Sequence, residues 1–317
     1  MDERINILIG SDINYAPYYG VMLTSLFMNN KESLFDVYLL TDDTWTEAET
    51  KKFEELANSY NSNFHVVIVD YDIVKDFPKT IHISLPTYYR LQACNLLPEN
   101  IHKILYLDGD MIVSGDIRPL WKTELEGIAI AGVPDCASWS DEYFDRIKID
   151  RKWGYINAGV SLYNLDYWRE HKISDVLIQH IIDHPDMVPL MDQDAVNNKL
   201  KDKKIISPPK YNFQTWAFLK DNWSHYDEQT KMDYREAAKQ PVIVHYSGWY
   251  KPWTIRSYYG MPFFNLWIKY WKLSNWHNAV KYKPIGKYIK FLIKYITHIR
   301  LHDNRNKLFI EEAYELA

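Results

Sequence analysis

The sequence predicts an α/β domain built on a doubly wound, mostly parallel sheet, followed by a basic and aromatic helical tail. Strand-like and helix-like stretches alternate from residue 5 to residue 110, as they do in consecutive βαβ units. Several apolar runs end in an aspartate, which is where such sheets present their ligand-binding edge. The charge then changes sign near residue 250, so we place the domain at 1–255 and the tail at 256–317.

The composition is that of an ordinary folded protein. The 317 residues are 47% hydrophobic and 25% charged, which excludes a wholly disordered chain. No apolar run approaches the length of about 18 residues that a transmembrane helix needs, and the N-terminus lacks the pattern of a secretory signal. Two cysteines, Cys94 and Cys136, are too few for a disulfide framework or a cysteine-rich zinc site, so we expect a cytoplasmic protein.

The first elements follow from the spacing of apolar residues. Ile5–Ile9 is apolar and β-branched before a glycine turn, which predicts a buried strand. Helical spacing continues over 16–28. Thr44 and Glu47 have the spacing of a capping box, in which each side chain bonds a backbone N–H of the other residue. We therefore expect a second helix from there to about Asn58.

The later elements are predicted from the same helical and strand periodicities of apolar residues. The segment 87–97 has helical character and ends at Pro98, which cannot continue a helix. The strongly apolar strand over 103–107 stops at an aspartate. We predict strands at 35–40, 64–69, 103–107, 128–133, 159–162 and 242–245, and helices at 87–97, 175–182 and 193–200.

Acidic residues lie just past several predicted strand ends. Because the carboxyl ends of parallel strands meet at one edge of a sheet, we expect these side chains to form an acidic cluster in the ligand crevice. The residues are Asp12, Asp42, Asp70 and Asp108.

Asp108-Gly109-Asp110 is the sharpest local motif. Two carboxylates separated by one glycine can both turn toward a hard cation such as Mn²⁺ or Mg²⁺, which prefers oxygen ligands and often bridges protein carboxylates to phosphates. The alternative is a solvated turn, which is the usual context of this short pattern. The apolar strand before it favours the metal site, since the acids then emerge from the core.

A second motif follows the last predicted strand. His245 could be a third metal ligand, and Lys251 could neutralise a phosphate oxygen. Gly248 would let backbone N–H groups approach a phosphate closely. The alternative is a loop anchored by Trp249 and Trp253, with Lys251 in solvent.

Polar groups at the edges of other apolar stretches suit a sugar. Amides and carboxylates such as those of Asn157, Asp192 and Gln193 provide both the donors and the acceptors that hydroxyl groups need. The alternatives are a strand-start turn for Asn157, a helix N-cap for Asp192 and a surface cation for Arg90.

The sequence has no Gly-x-Gly-x-x-Gly or phosphate-binding loop and no nucleophile elbow, and no predicted helix contains a His-x-x-x-His pair.

The net charge of −5 conceals a split. Residues 1–250 hold 25 basic and 38 acidic residues, whereas residues 251–302 hold 10 basic residues, no acidic residue and 13 aromatic ones. This mixture is typical of an interfacial membrane anchor, because rings sit at headgroup depth and cations meet anionic lipids. A nucleic-acid surface and a helical bundle packed through its aromatic rings are the alternatives. The acidic body would repel a nucleic acid, so we expect none.

Six motifs follow one another along the chain: Ile9–Tyr15, Tyr88–Leu91, Tyr106–Asp110, Asn157–Val160, Asp192–Asp194 and His245–Trp253. In this order they resemble those of the retaining glycosyltransferases of family 8, which include bacterial lipopolysaccharide galactosyl- and glucosyltransferases and glycogenin. The resemblance is collinear over about residues 5–253, and beyond it only the basic, aromatic character matches bacterial members that dock on the inner membrane.

The resemblance implies a GT-A fold with a mixed, mostly parallel sheet, a UDP-hexose donor, and Mn²⁺ or Mg²⁺ as cofactor. Asp108, Asp110 and His245 would bind the metal, with Gly109 as the spacer. The resemblance implies uridine contacts from Ser11, Asp12, Asn14 and Tyr15, phosphate contacts from Gly248 and Lys251, and donor-sugar contacts from Arg90, Asn157, Asp192 and Gln193. Asp135 would lie where donor and acceptor meet, and the catalytic roles would fall to Gln193, Asp192 and Lys251.

The implied activity is retaining transfer of galactose or glucose to a hydroxyl of a glycan or lipid-linked glycan, in lipopolysaccharide or surface-glycan assembly. We expect the protein to be peripheral on the inner face of the plasma membrane, attached through residues 256–302. Two other classes stay open: a nucleotidyltransferase acting on sugar phosphates, and a self-glycosylating or non-catalytic protein that binds UDP-sugar.

Overall fold

A computed structural model describes residues 4–70, 72, 75, 86–137, 139–248, 251–254, 261–279, 310 and 313. Its strands are β1 (Arg4–Gly10), β2 (Leu34–Thr41), β3 (Asn63–Ile68), β4 (Lys103–Leu107), β5 (Met111–Val113), β6 (Ile130–Pro134), β7 (Ile156–Asn164), β8 (Lys204–Ile206), β9 (Phe213–Gln214) and β10 (Ile243–His245). Every predicted strand is present within two or three residues of its expected bounds.

The helices are α1 (Ala16–Asn29), α2 (Glu47–Asn58), α3 (Pro86–Tyr89), α4 (Ala93–Leu96), α5 (Arg118–Trp121), α6 (Asp141–Ile147), α7 (Leu165–Glu170), α8 (Ile173–Asp183), α9 (Asp192–Lys199), α10 (Lys220–His225), α11 (Glu228–Lys239) and α12 (Phe264–Leu273). Short 3₁₀ turns connect several of them, among them Arg90–Gln92 and Pro209–Asn212.

The main sheet has seven strands in the order β3-β2-β1-β4-β7-β6-β8. β3, β2, β1 and β4 are parallel, whereas β7 runs antiparallel to both of its neighbours. The predicted mixed, mostly parallel sheet is therefore confirmed. Because β7 is reversed, its first residues lie beside the carboxyl end of β4. A separate three-stranded sheet, β5-β10-β9, continues from that same edge.

Apolar side chains cover both faces of the main sheet. One cluster includes Ile7, Leu105 and Leu26 of α1, and the other includes Leu8, Ile104 and Leu177 of α8. Alternate residues of one strand thus enter opposite clusters, as the strand period requires. Helices therefore pack on both faces, which is the doubly wound arrangement that the alternation of elements predicts.

Two local predictions are wrong in detail. The N-cap of α2 is Thr46, whose hydroxyl accepts from the Glu49 N–H, while the Thr44 hydroxyl bonds Asp42 instead. Both threonines have a glutamate three residues on, so the sequence alone cannot choose between them. The helix predicted over 87–97 is also divided, because α3 tightens into a 3₁₀ turn at Arg90 before α4 begins.

The described part of the tail packs against the body. Trp267 and Tyr270 of α12 are buried in the cluster around the small sheet, and Trp276 packs against α1 at Gly20. The Trp276 indole N–H donates to Glu49 at 2.8 Å. These rings therefore cannot sit in a membrane. Residues 280–309, which hold six of the ten basic residues of 251–302, lie outside the described residues. Within the described residues, no helix is long and apolar enough to cross a membrane.

Candidate active site

The candidate site lies where β4 ends and β7 begins. The backbone N–H of Asp108, the first residue after β4, donates to Gly159 of β7 at 2.9 Å. The short strand β5 then pairs with β10, with Met111 opposite His245. This register brings the histidine beside Asp110, although the two residues are far apart in the sequence.

Asp108, Asp110 and His245 form one compact group. Each residue offers one ligand atom, and these atoms lie within 4.8 Å of one another. The His245 Nε2 is 3.2 Å from Asp110 Oδ1 and 3.9 Å from Asp108 Oδ2. Asp110 and His245 are buried, so the alternative interpretation as a solvated turn is wrong.

Asn212 fixes the orientation of the His245 ring. The ring Nδ1 and the Asn212 amide oxygen are 2.8 Å apart. Since an amide oxygen only accepts, Nδ1 carries the proton and Nε2 keeps its lone pair toward the carboxylates. Asn212 in turn donates to the Asn157 amide oxygen at 2.9 Å. This outer contact prepares the imidazole as a ligand.

Gly159 forms the floor of this group. A Cβ at that position would lie 2.6 Å from Asp108 Oδ2 and 2.6 Å from a ring carbon of His245. Only glycine leaves room for both side chains. Two carboxylates and one oriented imidazole around that space match the oxygen-rich donor set that Mn²⁺ and Mg²⁺ accept.

Lys251 reaches the same group. Its ammonium contacts the Asp110 carboxylate and donates to the Tyr246 carbonyl at 2.8 Å, so the alternative that places it in solvent is wrong. Burial would raise the pKa of the Asp110 carboxyl, but the charge of Lys251 outweighs burial and holds that pKa well below its usual value. Gly248, with φ of 75°, lies so close to the Trp216 ring that a Cβ would overlap it.

Arg90 connects the acidic group to the start of α9. Its side chain is buried, so the alternative of a surface cation is wrong. The guanidinium donates to Asp108 Oδ1 at 3.2 Å and to the Ala158 carbonyl at 2.8 Å. Its Nε is also 3.1 Å from Asp192 Oδ2. One cation thus neutralises two carboxylates from different elements.

Asp192 is the first residue of α9 and does not cap it, so the N-cap alternative is wrong. Met191 before it has φ of 57°, a conformation that favours glycine and turns the chain sharply into the helix. Asp192 Oδ2 is buried and has no hydrogen bond within the described residues, because the Arg90 Nε proton points to Thr87 instead. Burial raises the pKa of Asp192 to about 6, against the opposing charge of Arg90.

Gln193, Asn157 and Asp135 form an amide–carboxylate network. The Gln193 oxygen accepts from the Asn157 amide at 3.2 Å and from the Ala158 N–H at 3.0 Å. Its nitrogen donates to Asp135 Oδ2 at 3.1 Å, and the Asn157 amide donates to the same oxygen at 2.9 Å. Asn157 lies inside β7 rather than in a turn before it, so the strand-start alternative is wrong.

The predicted uridine residues occupy the turn between β1 and α1. Asp12 accepts from the N–H groups of Asn14 and Tyr15, at 3.0 and 3.1 Å, and the Ser11 hydroxyl donates to the Asp12 carbonyl at 2.6 Å. The Tyr15 ring lies against Gly109, so this turn borders the acidic group.

The acidic cluster predicted from four strand ends is wrong as a single group: of the four aspartates, only Asp108 belongs to the compact group with Asp110 and His245. Asp42 accepts from the Tyr89 hydroxyl at 2.9 Å, and Asp70 accepts from the Asp72 N–H at 2.9 Å. Both follow strands that lie one and two places beyond β1 in the sheet, away from β4. The position of a strand in the sheet, which the sequence does not specify, therefore decides which aspartates meet.

Several residues of the site escape the sequence analysis. The Tyr106 hydroxyl donates to Asp108 at 2.7 Å, and Tyr155 accepts from the Gln193 amide at 3.3 Å. Asn212 could have been noticed as a lone amide between two aromatic residues, Tyr211 and Phe213. No local pattern distinguishes the two tyrosines from the other 23 in the chain.

Known proteins resemble this chain over most of its length. The family model "Glycosyl transferase family 8" matches residues 6–256. General stress protein A of Bacillus subtilis (strain 168) is 28% identical over 280 residues, which cover 87% of this chain and 96% of that protein. The lipopolysaccharide 1,2-glucosyltransferase of Escherichia coli (strain K12) is 27% identical over 274 residues, covering 86% and 78%.

A solved structure agrees with these relatives. The galactosyltransferase LgtC, in complex with donor and acceptor sugar analogs, matches with a TM-score of 0.75 and 25% identity. The match covers 86% of this chain and 96% of that one.

Proposed function

Because this chain belongs to glycosyl transferase family 8 and has a GT-A fold, we propose that it transfers a hexose, galactose or glucose, from a UDP-sugar to a hydroxyl of a glycan acceptor. One observation carries the proposal. Asp108, Asp110 and His245 converge over Gly159, directly beside the buried pair of Arg90 and Asp192. A candidate cation site would thus adjoin buried polar side chains that suit a sugar.

On this proposal Asp108, Asp110 and His245 hold Mn²⁺, or Mg²⁺ in its place. When bound, the ion supplies positive charge to the diphosphate leaving group. Lys251 contributes a second cation at the same place, because its ammonium already contacts Asp110. Tyr15, Ser11, Asp12 and Asn14 would hold the uridine, and Gly248 would let the backbone approach the phosphates.

The donor sugar would lie against Arg90, Asp192 and Asn157. The buried Asp192 Oδ2, which has no hydrogen bond among the described residues, is an acceptor for a sugar hydroxyl. The positive charge of Arg90 stabilises that carboxylate, while the Arg90 Nε proton is donated to the Thr87 carbonyl. Asp135 would face the junction of donor and acceptor, since Asn157 and Gln193 fix one of its oxygens.

We propose retention by attack from the side that UDP leaves. The acceptor oxygen bonds to the anomeric carbon, the bond from that carbon to the phosphate oxygen breaks, and the hydroxyl proton passes to the departing phosphate. The contacts of Gln193 support this route over a covalent intermediate. Its amide oxygen already accepts two hydrogen bonds, so it is a poor nucleophile.

A panel of UDP-sugars tests this function, with release of UDP as the measurement. We expect release from UDP-galactose or UDP-glucose, loss of release in excess EDTA and recovery with Mn²⁺. Full activity in EDTA would contradict the metal assignment. Release of pyrophosphate from UTP and a sugar phosphate, with no UDP from any UDP-sugar, would favour a nucleotidyltransferase.

The acceptor is proposed to be a lipopolysaccharide or other lipid-linked surface glycan, as the name of the Escherichia coli relative suggests. Glycan and lipooligosaccharide acceptors are screened with the donor found above. The intact mass of the protein after the reaction distinguishes transfer to the chain itself, because each hexose attached to the protein raises its mass. A mass that rises without any acceptor would favour self-glycosylation.

We also propose that the protein works at the cytoplasmic face of the plasma membrane. Since Trp267 and Trp276 are buried in the body, we assign the contact to the lysines from Lys281 to Lys294. Replacing the five lysines in that range with glutamine should release the protein from anionic vesicles and spare UDP release. This variant keeps Ile310 and Ala313, which pack against the body, whereas a truncation would remove them. Unchanged vesicle binding would contradict the proposal.

A further inference from the structure

A second pair of metal-ligating side chains lies at the end of α8, on a part of the protein that the proposed function does not use. The helix ends at Asp183, and His184 is its cap residue. The His184 N–H donates to the His180 carbonyl at 3.0 Å, which is the last helical hydrogen bond, because φ and ψ of His184 itself (−133° and 55°) are not helical. The two imidazole rings are nevertheless neighbours.

The spacing of the two rings suits chelation of one ion. Their centroids are 5.1 Å apart and their planes are inclined by 58°. A tetrahedral zinc ion with Zn–N bonds of about 2.0–2.1 Å places the centroids of two ligating rings roughly 5 Å apart. The backbone therefore already holds the imidazoles at the separation that a shared ion requires.

His180 has an unusual environment for a buried polar residue. Its side chain is only 4% exposed, yet neither ring nitrogen has a hydrogen-bond partner within the described residues. Buried polar groups almost always have such a partner, and an orphan group therefore indicates a missing ligand. Burial, assisted by the charge of Lys199, lowers the pKa of His180 to about 4, so the ring is neutral at pH 7 and keeps a lone pair.

Both histidines line an open cavity of about 490 Å³. Asp183, Asp175, Lys172 and Lys199 line it as well. The two carboxylates balance the two ammonium groups, so the cavity does not repel a cation overall. The Gln179 amide donates to Asp183 at 2.8 Å and orients that carboxylate, and the helix C-terminus itself favours positive charge.

We propose that His180 and His184 form a binding site for a borderline transition-metal ion, Zn²⁺, with water as the remaining ligands. Imidazole nitrogen suits zinc, whereas the carboxylate-rich group at Asp108 suits Mn²⁺. The ion would stabilise the C-terminal end of α8. This helix packs against α9, which carries Gln193. The two sites thus take different metals for reasons of ligand chemistry.

Zinc titration of the full-length protein tests this site. The metal-free wild type is compared with His184→Gln, with a chromophoric chelator as competitor. His184 is exposed, so its replacement leaves the core intact. The matched control is His102→Gln, which removes another exposed histidine that lies 3.0 Å from a carboxylate, Asp166. All three proteins retain Asp108, Asp110 and His245, so zinc bound there contributes equally.

We expect the wild type and His102→Gln to bind one more equivalent of Zn²⁺ than His184→Gln, or to bind it at least tenfold more tightly. Zinc should raise the melting temperature of the wild type by more than that of His184→Gln, while Mn²⁺ should not distinguish the two. Equal stoichiometry and affinity in the wild type and His184→Gln would overturn the proposal. Should His184→Gln fail to fold, an NMR titration of the wild type tests the proposal instead. Zinc must then shift the ring resonances of both His180 and His184.

Discussion

His245 and His180 are both buried, with 3% and 4% of their surface exposed, yet their environments are opposite. Asn212 holds Nδ1 of His245, and Nε2 faces two carboxylates. Neither nitrogen of His180 has such a contact among the described residues. Burial therefore does not distinguish the two histidines. The outer hydrogen bond does, because it selects the tautomer of His245 and aims its lone pair at the carboxylates.

The same contrast extends to the residues around each ring. His245 lies among fixed charges, with Asp110 held by Lys251 and Asp108 held by Arg90. His180 faces an open cavity whose charged side chains are exposed or half-buried. We therefore expect mutations around His245 to change activity, and mutations around His180 to change stability and zinc binding.

The largest effect should come from His245→Phe. It removes a proposed metal ligand and leaves the Asn212 oxygen without its donor, so UDP release should fall by about a thousandfold, or roughly 4 kcal/mol in the activation barrier. His180→Phe should leave kcat within threefold of the wild type. Steady-state rates with the donor sugar measure both. Similar losses in the two variants would remove the distinction between the two histidines.

Gly159→Ala should have the next largest effect. The new methyl group would lie 2.6 Å from Asp108 Oδ2, so the carboxylate and the His245 ring must move apart. We expect Mn²⁺ affinity and kcat to fall by roughly a hundredfold, as they do when a site loses its geometry by about an ångström. Calorimetric titration with Mn²⁺ measures this loss. Unchanged Mn²⁺ affinity would show that Asp108 and His245 can move apart for the methyl group without loss of metal binding.

Asn212→Leu should weaken Mn²⁺ binding by about 10–100-fold, because loss of the group that orients a ligating imidazole has that effect. Asn212→Asp is the matched control, since its carboxylate still accepts from His245 Nδ1. We expect the leucine variant to lose metal affinity and the aspartate variant to keep most of it. Equal losses would mean that Asn212 acts through its bond to Asn157 instead.

The smallest effect concerns stability and pH. The pKa of His180 is about 4 in the folded protein and near 6.5 when unfolded. The unfolded chain therefore binds more protons between these values, and stability that is complete above about pH 6.5 declines as the pH falls toward 4. In EDTA, His180→Phe should flatten this decline by at most about 3 kcal/mol. Denaturant unfolding from pH 4 to 7 measures the slope, and parallel curves would contradict the expectation.

The sequence predicts the main strands of this protein and part of its candidate site well. The strand over 103–107 is reproduced to the residue, since a strongly apolar run ending in an aspartate has few other interpretations. The group of Asp108, Asp110 and His245 is likewise expected from the family motifs. In both cases the information is local or fixed by the order of motifs.

What the sequence leaves open depends on contacts between distant segments. Asn212 meets His245 only because β9 pairs with β10, and Asp42 is separated from Asp108 because β1 lies between β2 and β4. The sequence shows that His180 and His184 are four residues apart, but the predicted helix over 175–182 ends before His184. The helix runs one residue further, to Asp183, and a single backbone hydrogen bond from His184 to His180 then brings the two histidines together.

The chain between Asp135 and Tyr155 leaves and re-enters the sheet at a single point, where the N–H of one donates to the carbonyl of the other at 2.9 Å. This excursion has its own small apolar cluster around Phe144 and Ile147. Closing a longer loop between fixed ends adds little entropic penalty, about 0.6 kcal/mol for each doubling of length. A change in the length of this excursion would therefore cost little closure entropy, because the bond between Asp135 and Tyr155 still closes its base.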